Sequence, residues 1–151
     1  MNALWNLWLN ASIIEAYNVA FSPLGLPIFI IGVTDGNEQD LIDNAVAGMI
    51  SIDIETDMEQ MASTEYKFSA KILVLVTSVI AQDRFAHFRN EGAVIAAIPK
   101  CITVYQRGTS DATVFGQMRW DGQLKPVRYP SSGSNSRQAQ SLYELNYIGE
   151  F

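Results

Sequence analysis

The chain has 151 residues, a net charge of -6 and 17% charged residues, enough for one domain with its own core and too few for two comfortable ones. The acidic balance argues against a nucleic-acid binder held by phosphate contacts, which needs a basic face, and the low charge content leaves much neutral surface of the kind found in interfaces. One cysteine, Cys101, and one histidine, His87, exclude an intramolecular disulfide, give a Cys/His zinc site too few ligands and fit a reducing compartment.

Residues 2 to about 17 are predicted to form a helix. Leu4, Leu7, Trp8, Ala11 and Ile14 fall on one face at helical spacing, and Trp5, Leu9 and Ile13 spill onto a second. Such a helix is either buried broadly or has one face in the core and one against a neighbouring subunit. Its polar strip, Asn2, Asn6 and Asn10, lacks Lys and Arg and does not suit a membrane surface. No basic region precedes the apolar part, as a signal peptide requires. No stretch reaches the roughly 18 apolar residues of a membrane span. A turn-rich connector, residues 21–27, then feeds an apolar run at 28–31 that reads as a short buried strand. Residues 37–50 fit either a short helix, through Leu41, Ile42, Ala45, Val46 and Met49, or a loop.

Residues 51–78 carry the clearest signal, a long β-hairpin with its charges sorted by strand. Asp53, Glu55, Asp57 and Glu59 alternate with Ile52, Ile54, Thr56 and Met58, and Lys67, Ser69 and Lys71 alternate with Tyr66, Phe68, Ala70 and Ile72. A loop at 61–65 sets Glu59 opposite Lys67 and Glu55 opposite Lys71, with Met58 on Phe68 and Ile54 on Ile72. One register satisfies both the charge pairs and the apolar pairs. Beyond it, residues 72–76 are apolar on both faces, so each face needs a cover from a helix or from another subunit.

Asp83 is a candidate N-cap for a second helix running to about Ile98, with Phe85, Phe88, Val94, Ala97 and Ile98 as its apolar face and Pro99 as its stop. Residues 102–106 read as a strand. Residues 115–120 and 123–129 read as a hairpin around Asp121-Gly122, a type I′ signal, and Pro126 and Pro130 push its return strand to an edge. Residues 131–136 are a Ser/Gly loop. Residues 138–151 close the chain as a strand, with Tyr143, Leu145 and Tyr147 on one side. The expected fold is a single α+β domain over 1–151. It has a mixed or antiparallel sheet with a long hairpin, flanked by an N-terminal helix and one middle helix.

The chemical inventory is thin. His87 has no nucleophile with a recognisable triad context in sequence and reads as a packed or helix-surface histidine. Cys101 opens an apolar strand and reads as a buried, inert thiol. Same-face carboxylates of the acidic strand stand about 7 Å apart, so Asp53, Glu55, Asp57 and Glu59 read as a solvated or salt-bridged face rather than a cation site. No phosphate-binding glycine loop occurs. No catalytic residue, metal or cofactor is expected.

The N-terminal amphipathic helix, the Pro-led strand at 27–31, the long strand at 67–76, the single helix at 83–98 and the aromatic closing strand at 142–147 come in an order that resembles the tail terminator (tail completion) proteins of long-tailed bacteriophages. The resemblance implies a virion structural protein forming a ring, usually of six copies, made in the host cytoplasm. The ring caps the tail tube at the head-proximal end, with the tail tube protein on one side and the head–tail connector on the other. DNA passes through its lumen without sequence-specific binding. Trp5, Trp8, Leu73, Leu75 and Trp120 are then the candidate contacts between copies. The alternatives are another head–tail adaptor or baseplate component, or a soluble α+β enzyme or small-ligand binder using the acidic strand and His87.

Overall fold

The alternating stretch folds as the antiparallel pair β2 (Met49–Ala62) and β3 (Glu65–Val79). The computed structural model describes residues 4–25, 28–30, 49–62, 65–79, 85–132 and 138–150. Glu55 stands opposite Lys71, Glu59 opposite Lys67, Met58 opposite Phe68 and Ile54 opposite Ile72, as the paired charges and apolar residues require. Lys71 Nζ lies 3.1 Å from Glu55 Oε2. Pairing continues past the expected loop boundaries to Ala62 opposite Glu65, across a register shift after Gln60.

The long hairpin seeds the rest of the sheet. β7 (Gln138–Glu150) runs antiparallel to β3 from Val79 opposite Gln138 to Lys67 opposite Glu150. On the far side, β1 (Ile28–Ile30) lies parallel to β2. β4 (Cys101–Tyr105) pairs with β5 (Val114–Trp120), and β6 (Lys125–Ser132) pairs with β7. Among the described residues the order is β1-β2-β3-β7-β5-β4, with β6 on β7. The sheet is mixed and the fold is α+β. Of the ambiguous segment 37–50, residues 49–50 open β2, and of the Ser/Gly loop 131–136, residues 131–132 end β6; the rest of both lies outside the described residues.

The expected hairpin between β5 and β6 does not form. Both strands pair with β7 instead, end to end along one edge: β5 through Arg119 and Trp120, β6 from Lys125 onward. The connection is an Asx-type turn in which Asp121 Oδ1 accepts the Gln123 N–H at 2.8 Å. Gly122 there has a φ of 80°, a conformation glycine adopts without penalty. A 13-residue β7 offers enough edge for both, and that outweighs the local turn signal. β6 pairs only with β7 among the described residues, the edge position its prolines demand.

Two helices, α1 (Trp5–Phe21) and α2 (Ala86–Ala97), cover one face of the sheet. Alternation sends Ile50, Ile52 and Ile54 of β2 and Ile72, Val74 and Val76 of β3 to that face, where they join one core with Leu145, Tyr147, Ile102 and Val104. α1 presents Leu9, Ile13, Tyr17 and Phe21 to it, all fully buried and each separated by four residues, one stripe of a helix. Each such side chain contributes on the order of 1.5–3 kcal/mol. The buried stripe is therefore the one expected as the second face, and Leu4 and Leu7 of the expected first face are exposed. α2 contributes Val94 and Ile98, but Phe85 and Phe88 point to solvent and His87 and Glu91 point inward. Asp83, the expected cap, lies outside the described residues.

A tight turn at Gln106–Gly108 pins β4 to α1. Arg107 and Gly108 both have positive φ, 73° and 74°. A Cβ at Gly108 would lie 2.1 Å from Ala11 Cβ, so the helix and turn backbones meet where each has little side chain. Beside that contact the Ser12 hydroxyl accepts the Tyr105 N–H at 3.0 Å.

Candidate functional site

Four buried polar residues gather under α2: Ser78, His87, Glu91 and Ser141. Ser78 near the end of β3 and Ser141 on β7 lie on the core-facing side of the sheet, one on either side of the His87 ring. His87 Nδ1 is 2.8 Å from Ser78 Oγ, and Nε2 is 2.7 Å from Ser141 Oγ. Asn90 donates to Ser78 Oγ at 3.0 Å. Glu91, one turn beyond His87, brings its Oε2 to 3.9 Å from His87 Nε2 and accepts the Tyr143 hydroxyl. His87 is 2% exposed and both serines are fully buried. A Ser–His contact is a nucleophile–base geometry, and among the described residues its atoms are enclosed. The cluster acts as a polar clasp joining α2 to β3 and β7. Burial pushes the His87 pKa down, and the Glu91 carboxylate only partly opposes it. Burial, then the bond to Glu91, pushes the Tyr143 hydroxyl up to about 12.

A second buried chain joins α1 to β7. The Tyr17 hydroxyl is 2.8 Å from that of Tyr147, which donates to the Pro99 carbonyl at 2.6 Å, so Tyr17 donates to Tyr147. Burial raises both tyrosine pKa values.

The candidate contacts between copies separate into two groups. Trp5 and Trp8 are half-buried, with ring centroids 5.6 Å from Phe68 and 5.0 Å from Phe115, so part of each indole remains at the surface. Trp120 is half-buried and its Nε1–H donates to the Gln123 carbonyl at 3.1 Å, which staples the β5–β6 turn. Leu73 and Leu75 are 3% and 0% exposed within the single chain. Neither side chain is open to solvent in the single chain, and neither belongs to the core cluster under the helices.

The acidic face divides in the same way. Asp57 and Glu59 are exposed and Glu55 is paired with Lys71, as a solvated face requires. Asp53 departs from it: 2% exposed, with its Oδ1 accepting the Ile54 N–H at 2.9 Å. Asp57 pairs with Ser69, nine residues along β3 from Ser78, roughly 30 Å at strand rise. The acidic strand and His87 therefore do not form one site. Among the described residues no three of His, Cys, Asp and Glu come together as metal ligands, and no helix is long and apolar enough to cross a membrane.

Two further features lie at the surface. Large apolar side chains stand out on both helices, with Leu7 60% and Phe88 58% exposed. A groove of about 500 Å³ runs between α1 and β4, with Ser12, Glu15, Ala16, Cys101 and Thr103 among its lining residues. Cys101 is exposed there, against the expectation of a buried thiol. Strand alternation spends the inward positions of β4 on Ile102 and Val104.

No protein-family model and no curated protein matches the chain. One solved structure aligns over 91% of this chain and 92% of its own length, at 12% identity and a TM-score of 0.45. A likeness at that level carries no argument about function.

Proposed function

We propose that the chain is a virion structural protein that assembles into a tail-terminator-like ring, six copies around a lumen. The ring caps a phage tail tube at its head-proximal end, between the tube protein and the head–tail connector, and lets DNA pass without sequence-specific contact. The observation that carries this reading is the second apolar side of each helix. α1 buries Leu9, Ile13, Tyr17 and Phe21 and α2 buries Val94, and the two helices still present Leu7 and Phe88 to solvent, apolar side chains that a neighbouring copy would cover. The order of N-terminal helix, long hairpin, middle helix and closing strand among the described residues supports the resemblance on which the particular role rests. The half-buried Trp5 and Trp8 lie in the first turns of α1 and serve as anchors for a neighbouring copy.

Sedimentation velocity on the wild-type chain and on Leu7→Glu and Phe88→Glu tests this. Both positions are exposed, so the variants keep their melting temperature, as surface changes do to within about 0.5 kcal/mol. The ring reading expects them to lose the assembled species. Variants that assemble like the wild type would refute it.

A further inference from the structure

The ladder between β4 and β5 leaves one side of β4 open. The Trp120 N–H donates to the Lys100 carbonyl at 2.9 Å, and Cys101, Ile102 and Thr103 stand opposite Arg119, Met118 and Gln117. Bonded and non-bonded positions alternate along an antiparallel pair. Lys100 and Ile102 therefore bond toward β5, and Cys101 and Thr103 turn their N–H and C=O groups away from it. Tyr105 turns its N–H the same way, and the Ser12 hydroxyl takes it, so α1 closes the edge at that residue. Pro99 has no N–H to offer at the other end. Between these two stops, the outward backbone groups of Cys101 and Thr103 have no strand partner among the described residues.

The groove described above runs along this open edge. Ala16 and Ala20 of α1 keep its helical wall low, the exposed Val19 adds an apolar patch, and Glu15 is the one charged residue among the described residues lining it. Two sets of outward backbone groups two residues apart repeat at roughly 6.6 Å, the repeat of another extended chain. An open edge of this kind is a template for strand addition.

We propose that the groove takes an extended segment of a partner protein, added as a strand to the free edge of β4, with small apolar side chains against Ala16 and Ala20 and a Lys or Arg meeting Glu15. The net charge of -6 favours the same basic partner at long range. Ser12 fixes where the added strand ends. The proposal does not depend on the ring, because none of its residues belongs to the surface carried by Leu7 and Phe88.

The test is selection of a displayed random library of about seven-residue peptides, long enough to span β4, on the folded wild-type chain. Enriched peptides should alternate apolar residues and carry a basic one. Their binding should shield Cys101, the only thiol in the chain, from alkylation. Thr103→Pro removes an outward N–H and no ladder bond, and should weaken binding about tenfold. Glu15→Gln should weaken it about threefold. Replacing the peptide amide whose N–H donates to the Thr103 carbonyl by an ester should cost a similar factor on the wild-type chain, so the test stands even where Thr103→Pro fails to fold. The proposal is overturned if no peptide is enriched, if Cys101 stays open to alkylation in the complex, or if the ester has no effect. Shielding of Cys101 that grows with protein concentration and no peptide would also overturn it, because a second copy would then occupy the edge.

Discussion

Gly108→Ala is the sharpest probe of how α1 is held. Two costs follow from the structure. The residue sits at a φ of 74°, where an L side chain loses about 1–2 kcal/mol. The new methyl would also lie 2.1 Å from Ala11 Cβ, an overpacked contact between two backbone-borne atoms that costs about 1–3 kcal/mol to relieve. The single variant should therefore lose about 2–5 kcal/mol, a large share of the stability of a domain this size. Ala11→Gly alone should cost about 1 kcal/mol as a helix-interior glycine. In the double variant the steric cost disappears and the other two remain, so it should lose about 2–3 kcal/mol against an additive expectation of about 3–6. Urea unfolding of all four chains measures the cycle. A Gly108→Ala change within about 0.5 kcal/mol of wild type, or a double variant equal to the sum of the singles, would refute the close approach of helix and turn.

Other perturbations have equally definite outcomes. Leu75→Glu should unfold the monomer, losing more than about 3 kcal/mol by burying a charge at a fully covered position; a melting curve like the wild type's would show that this face of β3 is open. The His87 pKa is lowered by burial, so near pH 6.5 and below, the unfolded chain binds a proton that the folded chain refuses. Stability should be fully present above about pH 6.5, fall as pH drops toward the lower folded value, and level off beneath it. Urea midpoints against pH should lose that slope in His87→Gln; an unchanged slope would assign it elsewhere. Ser141→Ala should cost about 1–3 kcal/mol by leaving a ring nitrogen unpaired in the interior, read from the same denaturation curves. The Glu55–Lys71 pair is substantially exposed on both sides, and a double-mutant cycle on it should give less than about 1 kcal/mol, smaller still at high salt.

The parts of the fold that were legible are those where two independent patterns agree. In the hairpin, Glu55 and Lys71 ask for the same register as Ile54 and Ile72, and a one-residue slip would break both sets at once. The closing strand was legible for the same reason, through Tyr143, Leu145 and Tyr147. The helices were harder because their patterns are nearly symmetric. α1 carries apolar residues on all sides, so spacing alone did not choose between the Leu7 stripe and the Leu9–Ile13–Tyr17 stripe. In α2 hydrophobicity favours Phe85 and Phe88 for the interior, whereas Ser78 and Ser141 recruit His87 there. Those two serines interrupt otherwise apolar positions of buried strands, the one sequence signal that pointed to the clasp. The β5–β6 turn shows the limit of local chemistry: Asp121-Gly122 makes a turn, but the long edge of β7 decides what the flanking strands pair with. The groove left no sequence signature, since it depends on where α1 crosses β4.

The ring is the central claim, and one sample tests it most directly: the purified full chain, concentrated, imaged by electron microscopy and weighed intact by native mass spectrometry. The account predicts a closed ring with a central hole and a mass of six copies, absent from Leu7→Glu and Phe88→Glu. A chain that stays monomeric up to its solubility limit, with wild-type and variant images alike, would contradict it.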